Sequence, residues 1–373
     1  MKRRGPTRAR QPTRACAQSK ICVAALHLGR MKAATAATAF ALALVVPYGV
    51  AFVQLSSVGN TGRYRNLDRR HRSRVAAAEA NTQDLMPDSQ TLSEVLAAAV
   101  HAASEAGALM KARVGADVLK TKFNPKDLLT EVDGQCQIVI EKVVSKQFPE
   151  HGLLGEENVA PGAAASTVAL SDALDGEGVA EWLWIVDPID GTTNFVHGIP
   201  LSAVSIGVAY RGQVVVGCIY DPFRNELFTA TRGGGAFLNG MKMQVGDQAT
   251  IGEATVACGA PPGVLALGPC VRGLAALAPH VRTTRMLGSA AIMLAWVACG
   301  RLTCYWEPDL NSWDIAAGAL LIQEAGGEMS DILGDPYCLS TRAIIGSNRL
   351  VHEDVRLILV EADATRPDST PQL

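Results

Sequence analysis

Two aspartates in the segment DPIDGTT, residues 187–193, carry the strongest chemical signal in the sequence. In a tight turn after a buried strand, Asp187 and Asp190 can direct both carboxylates into one cleft, and Gly191 lets a backbone approach closely. The free N–H groups of a helix that begins here suit a bound phosphate. A purely structural alternative is that Asp190 caps this helix and Asp187 is a turn residue.

Further carboxylates stand at the ends of apolar elements elsewhere in the chain. Glu156 follows the apolar residues Leu153 and Leu154, and Asp314 lies at the start of a predicted helix. An acid at a helix N-terminus is often only a partner of the helix dipole, so Asp314 alone does not indicate a site. A set of Asp and Glu without His or Cys nevertheless matches the oxygen ligands that Mg²⁺ prefers.

Electrostatic repulsion means that such a cluster needs cations. Two carboxylates about 4 Å apart repel by about 4 kcal/mol at an effective dielectric constant of about 20. Two or more metal ions would offset this repulsion, hold phosphoryl oxygens, activate an attacking water and stabilise the leaving alkoxide. The acidic residues therefore predict a magnesium-dependent phosphatase that acts on a small phosphorylated alcohol.

Charge is distributed unevenly along the 373 residues and argues against a nucleic-acid partner. Residues 1–74 contain 15 Lys or Arg and one acid, which leaves 19 basic and 35 acidic residues in the remainder. A net charge of about −16 there would repel a phosphate backbone, because nucleic-acid binding depends first on Lys and Arg. The nine cysteines include no C-x-x-C pair, which predicts a reduced protein with cysteines in its core.

Residues 1–85 are predicted to form a poorly ordered targeting leader outside the folded unit. The apolar stretch Ala33 to Val53 follows an Arg-rich start, and residues 56–74 have the Arg and Ser bias of an organelle transit peptide. A signal followed by a transit peptide would direct the protein to a plastid. The alternatives are the secretory pathway, a single membrane anchor and an extension without an address. Membrane contact is expected only if the apolar stretch is retained as an anchor.

The N-terminal part of the folded unit is predicted to contain two helices and a loop. Apolar residues at a 3.6-residue period begin a helix at Ser89, with Thr91 and Glu94 as its capping box. A second helix follows the segment DLLTEVD and ends near Phe148. Residues 160–180, which are rich in Ala, Gly, Ser and Asp, are predicted to be a surface loop.

The rest of the chain mixes strands with helices. A short apolar run at 182–186 is typical of a strand buried on both faces, and it stops at Asp187. Further strands are predicted at 203–210, 214–220, 226–231 and 342–346, and helices at 289–299, 313–325 and 353–362. This pattern indicates one α/β or α+β unit at 88–363, followed by a C-terminal tail at 364–373.

Six segments, in this order, resemble the inositol monophosphatase family over most of residues 90–360: DLLTEVD, GEE, WIVDPIDGTTNFVHG, GGGAFLNG, LGSAA and WDIAAGALLIQEAGG. Within this family, the sequence most resembles the plastid-type members. The resemblance implies the layered αβαβα sandwich of sugar phosphatases, a homodimer and sensitivity to lithium. It also implies that the substrate is inositol 1-phosphate. Relatives handle galactose 1-phosphate, histidinol phosphate and fructose 1,6-bisphosphate, so these substrates are alternatives.

The same resemblance implies which residues hold the metal and the attacking water. One Mg²⁺ would be held by Glu156, Asp187 and the Ile189 carbonyl. A second would be held by Asp187, Asp190 and Asp314, with a third, weaker ion near Glu156. The catalytic residues would be Asp133, Thr192 and Glu156, of which the first two position the attacking water.

Substrate contacts follow from the resemblance in the same way. The phosphate would contact Lys122 and the backbone of Gly191, Thr192 and Thr193. The alcohol would contact Ser289, Ala290, Glu307 and Asn311. Asn311 stands where animal members of the family carry His, and this departure bears on inositol specificity rather than on phosphate removal.

Two other functions are possible in principle. Cys218 to Arg224 has the C-x₅-R spacing of cysteine phosphatases, but Asp221 adds negative charge and Pro222 removes an N–H donor from the loop. A non-catalytic or membrane-tethered binding protein would be indicated by the loss of a metal carboxylate, and every one is present. The residues therefore favour the metal-dependent phosphatase over both.

Overall fold

The computed structural model describes residues 86–116, 118–121, 128–176, 178–261 and 263–365. The predicted leader, Lys122 and residues 366–373 of the predicted tail lie outside these residues. Within the described ranges, no helix combines the length and the apolar character that a membrane span requires.

The described residues form eight α-helices and fourteen β-strands. The helices are α1 (Ser89–Arg113), α2 (Glu131–Gln147), α3 (Ala163–Asp175), α4 (Thr192–Val196), α5 (Val264–Leu277), α6 (Ala290–Ala298), α7 (Ser312–Glu324) and α8 (His352–Glu361). The first nine strands are β1 (Val118–Thr121), β2 (Leu128–Thr130), β3 (Gly152–Gly155), β4 (Trp182–Asp190), β5 (Ala203–Tyr210), β6 (Gln213–Asp221), β7 (Glu226–Thr231), β8 (Gly235–Leu238) and β9 (Met241–Lys242). The remaining strands are β10 (Thr255–Cys258), β11 (Thr283–Arg285), β12 (Cys304–Glu307), β13 (Glu328–Asp331) and β14 (Ile344–Ser347).

The strands form two main sheets. The larger has seven strands in the order β3-β4-β5-β6-β7-β8-β9, with β3 and β4 parallel and the other pairs antiparallel. The smaller has five strands in the order β11-β10-β12-β14-β13 and is mixed. Strands β1 and β2 form a separate antiparallel pair. The meander from β4 to β7 confirms the predicted run of strands.

Alternating side chains along the strands define the layers. Along β4, Trp184 points into a core shared with α1 and α2, whereas Ile185 points into the opposite core with α6 and α7. Along β12, Tyr305 faces α6 and α7, whereas Trp306 faces α5 and α8. The order is helices, sheet, helices, sheet, helices, which confirms the predicted αβαβα sandwich.

The predicted loop at 160–180 is wrong in its centre, which forms α3. Alanine is the strongest helix former, so the Ala-rich composition that suggested a loop is also suited to a helix. Gly162, with a φ of 107°, and Gly176 flank the helix at its two ends. Leu170 is buried and fixes one face of α3 to the core around α6 and α7.

The predicted capping box of the first helix is also wrong. Asp88 is the N-cap of α1, and its side chain accepts the N–H of Thr91 at 2.8 Å. Thr91 is therefore inside the first turn. The other predicted strands and helices after residue 200 lie within two residues of the observed ones.

Strand β4 continues past the predicted stop at Asp187. Asp187 lies opposite Ser205 of β5 and Asp190 lies opposite Ala203, with a shift of register between them. This bulge accommodates Pro188, which lacks the N–H that a regular ladder uses. Because of the bulge, both aspartates belong to the end of one buried strand.

Candidate active site

Neighbouring parallel strands bring the first carboxylates together. Gly155 at the end of β3 lies opposite Val186 of β4. The next residue of each strand, Glu156 and Asp187, therefore emerges at the same edge of the sheet. Glu156 begins a short 3₁₀ turn that leaves this edge.

Helix α7 supplies the last carboxylate from the layer between the sheets. Ser205 on β5 donates its hydroxyl to the Trp313 carbonyl at 3.1 Å, which ties the first turn of α7 to the larger sheet. Oxygens of Asp187, Asp190 and Asp314 all lie within 4.8 Å of one another. Asp314 thus meets two aspartates that lie more than 100 positions earlier in the chain, as the sequence predicts for a metal site.

Burial and mutual repulsion both raise the pKa values of this cluster. Burial raises the pKa of Asp190 to about 6, and the charge of Glu156 adds to this, although three hydrogen bonds oppose it. Burial and then the charges of Glu156 and Asp190 raise the pKa of Asp314 well above its usual range. Glu156 is therefore close enough to share the electrostatics of the cluster.

The cluster fits a hard divalent cation. Its donors are carboxylate oxygens only, which is the set that Mg²⁺ prefers. Asp187 and Asp190 are 3% and 6% exposed, so solvent does little to screen their charges. Buried carboxylates of one sign are costly without a cation, and a bound ion would remove that cost. The residues that could hold it are those of the cluster, Glu156 and the Ile189 carbonyl.

Asp190 has a structural role as well. Its carboxylate accepts the Ser289 hydroxyl, the Ala290 N–H at 3.1 Å and the Ala291 N–H at 2.9 Å. Asp190 therefore caps α6 rather than α4, the helix that follows it. Ser289 and Ala290, which are predicted to contact the substrate alcohol, direct these donors to Asp190.

Asp133 and Thr192, which are predicted to position the attacking water, lie next to each other. The Thr192 hydroxyl is 3.2 Å from Oδ1 of Asp133 and 3.1 Å from the Ile189 carbonyl. The other oxygen of Asp133 accepts the N–H of Thr130 at 2.9 Å as part of the capping box of α2. The capping box thus fixes Asp133 and leaves Oδ1 facing Thr192.

Asn311 is the N-cap of α7, a role the sequence did not predict. The Asp314 side chain accepts the Asn311 N–H at 2.7 Å, and the Asp314 N–H donates to the Asn311 carbonyl at 3.2 Å. Arg342 donates to Asn311 at 3.0 Å, to Asp309 at 2.8 and 2.9 Å and to Ser166 of α3 at 2.9 Å. The predicted substrate contact of Asn311 stays a prediction, because its side chain here accepts a hydrogen bond from Arg342.

Glu307 lies at the end of β12 and is 6% exposed. Burial raises its pKa to about 8, and the charges of Asp314 and Asp190 contribute to the increase. Glu307 is thus near enough to the cluster to interact with it, although it is not part of it. This position suits a contact with the alcohol of a bound substrate.

Gly191 joins β4 to α4 in a left-handed conformation with a φ of 87°. A Cβ at this position would lie 2.9 Å from the Gly288 carbonyl and 3.0 Å from the Leu201 carbonyl. Only glycine adopts this positive φ without strain and has no Cβ that would clash with these carbonyl oxygens. The predicted phosphate contacts of Gly191, Thr192 and Thr193 stay a prediction, and Lys122 lies outside the described residues.

Cys218 does not resemble a phosphatase nucleophile. It is fully buried within β6, and burial raises its pKa to about 12, whereas a nucleophilic thiol needs a lowered pKa. Arg224 pairs with Asp221 at 3.0 Å. Cys218 is therefore a core residue, and Arg224 is an ion-pair partner of Asp221. The C-x₅-R spacing does not mark a catalytic loop here.

Sequence reasoning missed Arg342 and Tyr305. Arg342 binds residues on other elements, and Tyr305 binds Glu307 on the same face of β12. No local sequence motif marks either residue. The signal that could have found Tyr305 is its position two residues before Glu307, which places both side chains on one face of β12.

Comparisons with known proteins agree with this geometry. A model of the inositol monophosphatase family matches residues 91–362. An inositol-1-monophosphatase of Mesorhizobium japonicum is 40% identical over 228 residues, which are 61% of this chain and 80% of that relative. Inositol monophosphatase 2 of Solanum lycopersicum is 40% identical over 225 residues, which are 60% of this chain and 81% of that relative.

A solved structure shows the same architecture. The IMPase of Thermotoga maritima is 30% identical and superposes with a TM-score of 0.63, covering 72% of this chain and 98% of that one. Fold, carboxylate cluster and sequence similarity point the same way. The chain belongs to the inositol monophosphatase family.

Proposed function

We propose that the protein hydrolyses inositol 1-phosphate to inositol and phosphate in a magnesium-dependent reaction. As a member of its family, the chain is a metal-dependent phosphatase, which is a phosphoric monoester hydrolase. The observation that carries the proposal is the buried cluster of Asp187, Asp190 and Asp314, which the fold assembles from β4 and α7.

Two Mg²⁺ ions are proposed for the cluster, with a third, weaker ion near Glu156. The first would be held by Glu156, Asp187 and the Ile189 carbonyl, and the second by Asp187, Asp190 and Asp314. When bound, these ions supply positive charge that stabilises the phosphoryl oxygens and the leaving alkoxide and lowers the pKa of the attacking water.

Asp133 and Thr192 are proposed to orient the attacking water. When the Thr192 hydroxyl donates to Oδ1 of Asp133, 3.2 Å away, its lone pairs remain available to accept a hydrogen bond from water. Asp133 is 1% exposed and fixed by Thr130, so this acceptor does not move. The pair thus supports one orientation of the water relative to Ile189 and the cluster.

Inositol 1-phosphate is favoured over the other sugar and polyol phosphates on two grounds. The relatives from Mesorhizobium japonicum and Solanum lycopersicum are named inositol monophosphatases, and Glu307 places a polar group beside the cluster within reach of a ring hydroxyl. Ser289, Ala290 and Asn311 would complete the alcohol side, and Lys122, Gly191, Thr192 and Thr193 the phosphate side.

A substrate panel tests the proposed function directly. Phosphate release from inositol 1-phosphate should show the highest kcat/KM of the four candidate esters. It should disappear with EDTA and return with added Mg²⁺. A higher kcat/KM for galactose 1-phosphate, histidinol phosphate or fructose 1,6-bisphosphate would replace the substrate but keep the chemistry. Activity that survives EDTA would contradict the metal-dependent mechanism.

Cellular and assembly properties are proposed on the same basis. We propose a homodimer, inhibition by lithium, a folded unit at 88–363 and delivery to a plastid by residues 1–85. Light scattering of the purified protein tests the dimer, and LiCl titration of the phosphatase activity tests inhibition. A fluorescent fusion carrying residues 1–85 tests the plastid address against the secretory pathway and a membrane anchor.

A further inference from the structure

Tyr305 and Glu307 form a buried pair beside the carboxylate cluster. Both side chains project from the same face of β12 into the layer of α6 and α7, since they are two residues apart. Tyr305 is fully buried, and its hydroxyl donates a hydrogen bond to Oε2 of Glu307. One of the two oxygens of Glu307 is therefore occupied by the protein itself.

The hydroxyl of Tyr305 is a permanent donor. Burial, followed by the neighbouring charge of Glu307, raises the pKa of Tyr305 well above its usual range. The phenol therefore stays protonated at any physiological pH, and Glu307 must accept from it. Oε1 takes no part in this hydrogen bond, so Glu307 keeps acceptor positions that a substrate hydroxyl can use.

The backbone of Gly259 encloses the same carboxyl group. A Cβ on Gly259 would overlap the carboxyl group of Glu307, so the backbone packs directly against it. Cys270 on α5 donates its thiol to the Gly259 carbonyl at 2.6 Å, which holds this backbone in place. Glu307 is thus confined by a hydrogen bond on one side and by a main chain on another.

We propose that Tyr305 is a positioning residue that sets the selectivity for polyol phosphates by fixing Glu307. This inference rests on the proposed function. Without the Tyr305 hydroxyl, Oε2 of Glu307 loses its donor and the carboxyl group can rotate away from the substrate. Phosphate binding and metal binding use other residues, so the loss should be confined to substrates whose alcohol carries hydroxyl groups.

Two substrates separate selectivity from general damage. Inositol 1-phosphate carries ring hydroxyls that Glu307 can bind, whereas p-nitrophenyl phosphate carries none. Tyr305→Phe should raise KM for inositol 1-phosphate roughly tenfold, the effect of one hydrogen bond. Its kcat for that substrate, and its kcat/KM for p-nitrophenyl phosphate, should stay within about twofold of wild type.

A matched control removes a hydroxyl of the same kind elsewhere. The Tyr337 hydroxyl is buried, and no described residue gives it a hydrogen-bond partner. Tyr337→Phe should therefore leave both substrates unaffected. Gly259→Ala is the second test variant, because it displaces Glu307 while keeping Tyr305. Gly259 does not have a positive φ, so alanine is tolerated by its backbone.

A double-mutant cycle then identifies the path of the effect. If Tyr305 acts only through Glu307, adding Tyr305→Phe to Glu307→Gln should change KM for inositol 1-phosphate by less than about twofold. The proposal is overturned if Tyr305→Phe impairs both substrates equally, impairs neither, or multiplies with Glu307→Gln. It is also overturned if Tyr305→Phe fails to fold and Gly259→Ala then shows no selectivity. Failure of the wild type on inositol 1-phosphate would instead refute the proposed function.

Discussion

Replacing Asp190 by asparagine tests the electrostatic basis of the site most directly. The change keeps the shape of the side chain and removes one negative charge from three carboxylates whose oxygens lie within 4.8 Å of one another. Asp190 is 6% exposed, so its charge is poorly screened. We therefore expect the substitution to change the stability of the metal-free protein little and to destabilise the metal-loaded protein.

In the metal-free protein, the substitution should increase the free energy of unfolding because it relieves repulsion between the aspartates of the cluster. Two unit charges 4.8 Å apart repel by about 3 kcal/mol at an effective dielectric constant of about 20. At pH 6, Asp190 is half protonated because its pKa is raised to about 6, so a proton already relieves part of this repulsion. The gain at pH 6 is therefore smaller than the full repulsion, and we expect it to be about 1 to 2 kcal/mol.

The substitution should also lower the free energy of unfolding, because it weakens the hydrogen bonds that Asp190 accepts at the N-terminus of α6. The asparagine side chain would be a poorer acceptor for Ser289, Ala290 and Ala291, because it has one oxygen where the carboxylate of Asp190 has two. Loss of one such hydrogen bond costs about 1 kcal/mol. Gain and cost nearly cancel, so Asp190→Asn should fold with a metal-free stability within about 1 kcal/mol of wild type.

Bound Mg²⁺ should make the wild type more stable than the variant. A ligand at 100 times its Kd stabilises the native state by about 2.7 kcal/mol, and the variant should lose this contribution together with phosphate release. Thermal unfolding in EDTA and in rising MgCl₂ measures the first effect, and release of phosphate from inositol 1-phosphate the second. The exposed Asp247 supplies a matched control, since Asp247→Asn makes the same chemical change away from the cluster.

Two results would refute the reasoning. An Asp190→Asn protein that keeps both a near-normal rate and the full magnesium-dependent rise in Tm would remove Asp190 from the metal site. A protein that loses several kcal/mol of stability in EDTA would show that capping of α6, and not metal binding, is the main role of the residue.

Three further predictions concern Glu307, Arg342 and Gly191. The folded-state pKa of Glu307, about 8, exceeds the ordinary value of 4.5, so the native state binds more protons than the unfolded state between these values. The metal-free wild type should therefore lose stability as pH rises from about 4.5 to about 8, and Glu307→Gln should flatten this part of the urea-unfolding profile; an unchanged slope would contradict it. Arg342→Met frees Asn311 and, through it, Asp314, and should weaken Mg²⁺ binding about tenfold in calorimetric titration, while Arg356→Met, whose partner is Glu353, should not. Gly191→Ala should cost at least about 1 kcal/mol more than Gly212→Ala in urea unfolding, because both have positive φ but a Cβ at 191 meets carbonyl oxygens at 2.9 and 3.0 Å whereas one at 212 meets nothing within 4 Å; equal costs would refute the clash.

The larger sheet could be predicted because its strands are nearly continuous apolar runs bounded by turns. β5 and β6 are buried on both faces, so their pattern does not depend on which neighbour covers them, whereas β7 buries one face and leaves the other partly exposed. The region around α5 gave no such signal. Pro269 lies inside α5, and Gly273 sits where the ring of Trp306 packs against the helix. Both residues normally argue against a helix, and the core around Trp306 overrides that preference.

The site was predictable in its residue types and not in its connections. Asp187, Asp190 and Asp314 could be predicted as metal ligands because they lie at the ends of apolar elements. Carboxylates brought together there repel one another unless a cation is bound. Their hydrogen-bond partners depend on which helix packs against which strand, and this is decided by the layers. Asp190 therefore meets α6, about 100 residues later in the chain, rather than α4, which follows it directly.

The capping and metal-binding roles of these aspartates are compatible because a carboxylate has about four acceptor positions. Asp190 uses three of them for Ser289, Ala290 and Ala291, which leaves one for a cation. Asp187 accepts the Ile189 N–H at 2.9 Å, and Asp314 accepts the Asn311 N–H at 2.7 Å. Each aspartate of the cluster is thus oriented by a backbone donor before any ion arrives. Because folding has already fixed these side chains, a binding cation needs no rearrangement of them, and its free energy of binding can stabilise the native state directly.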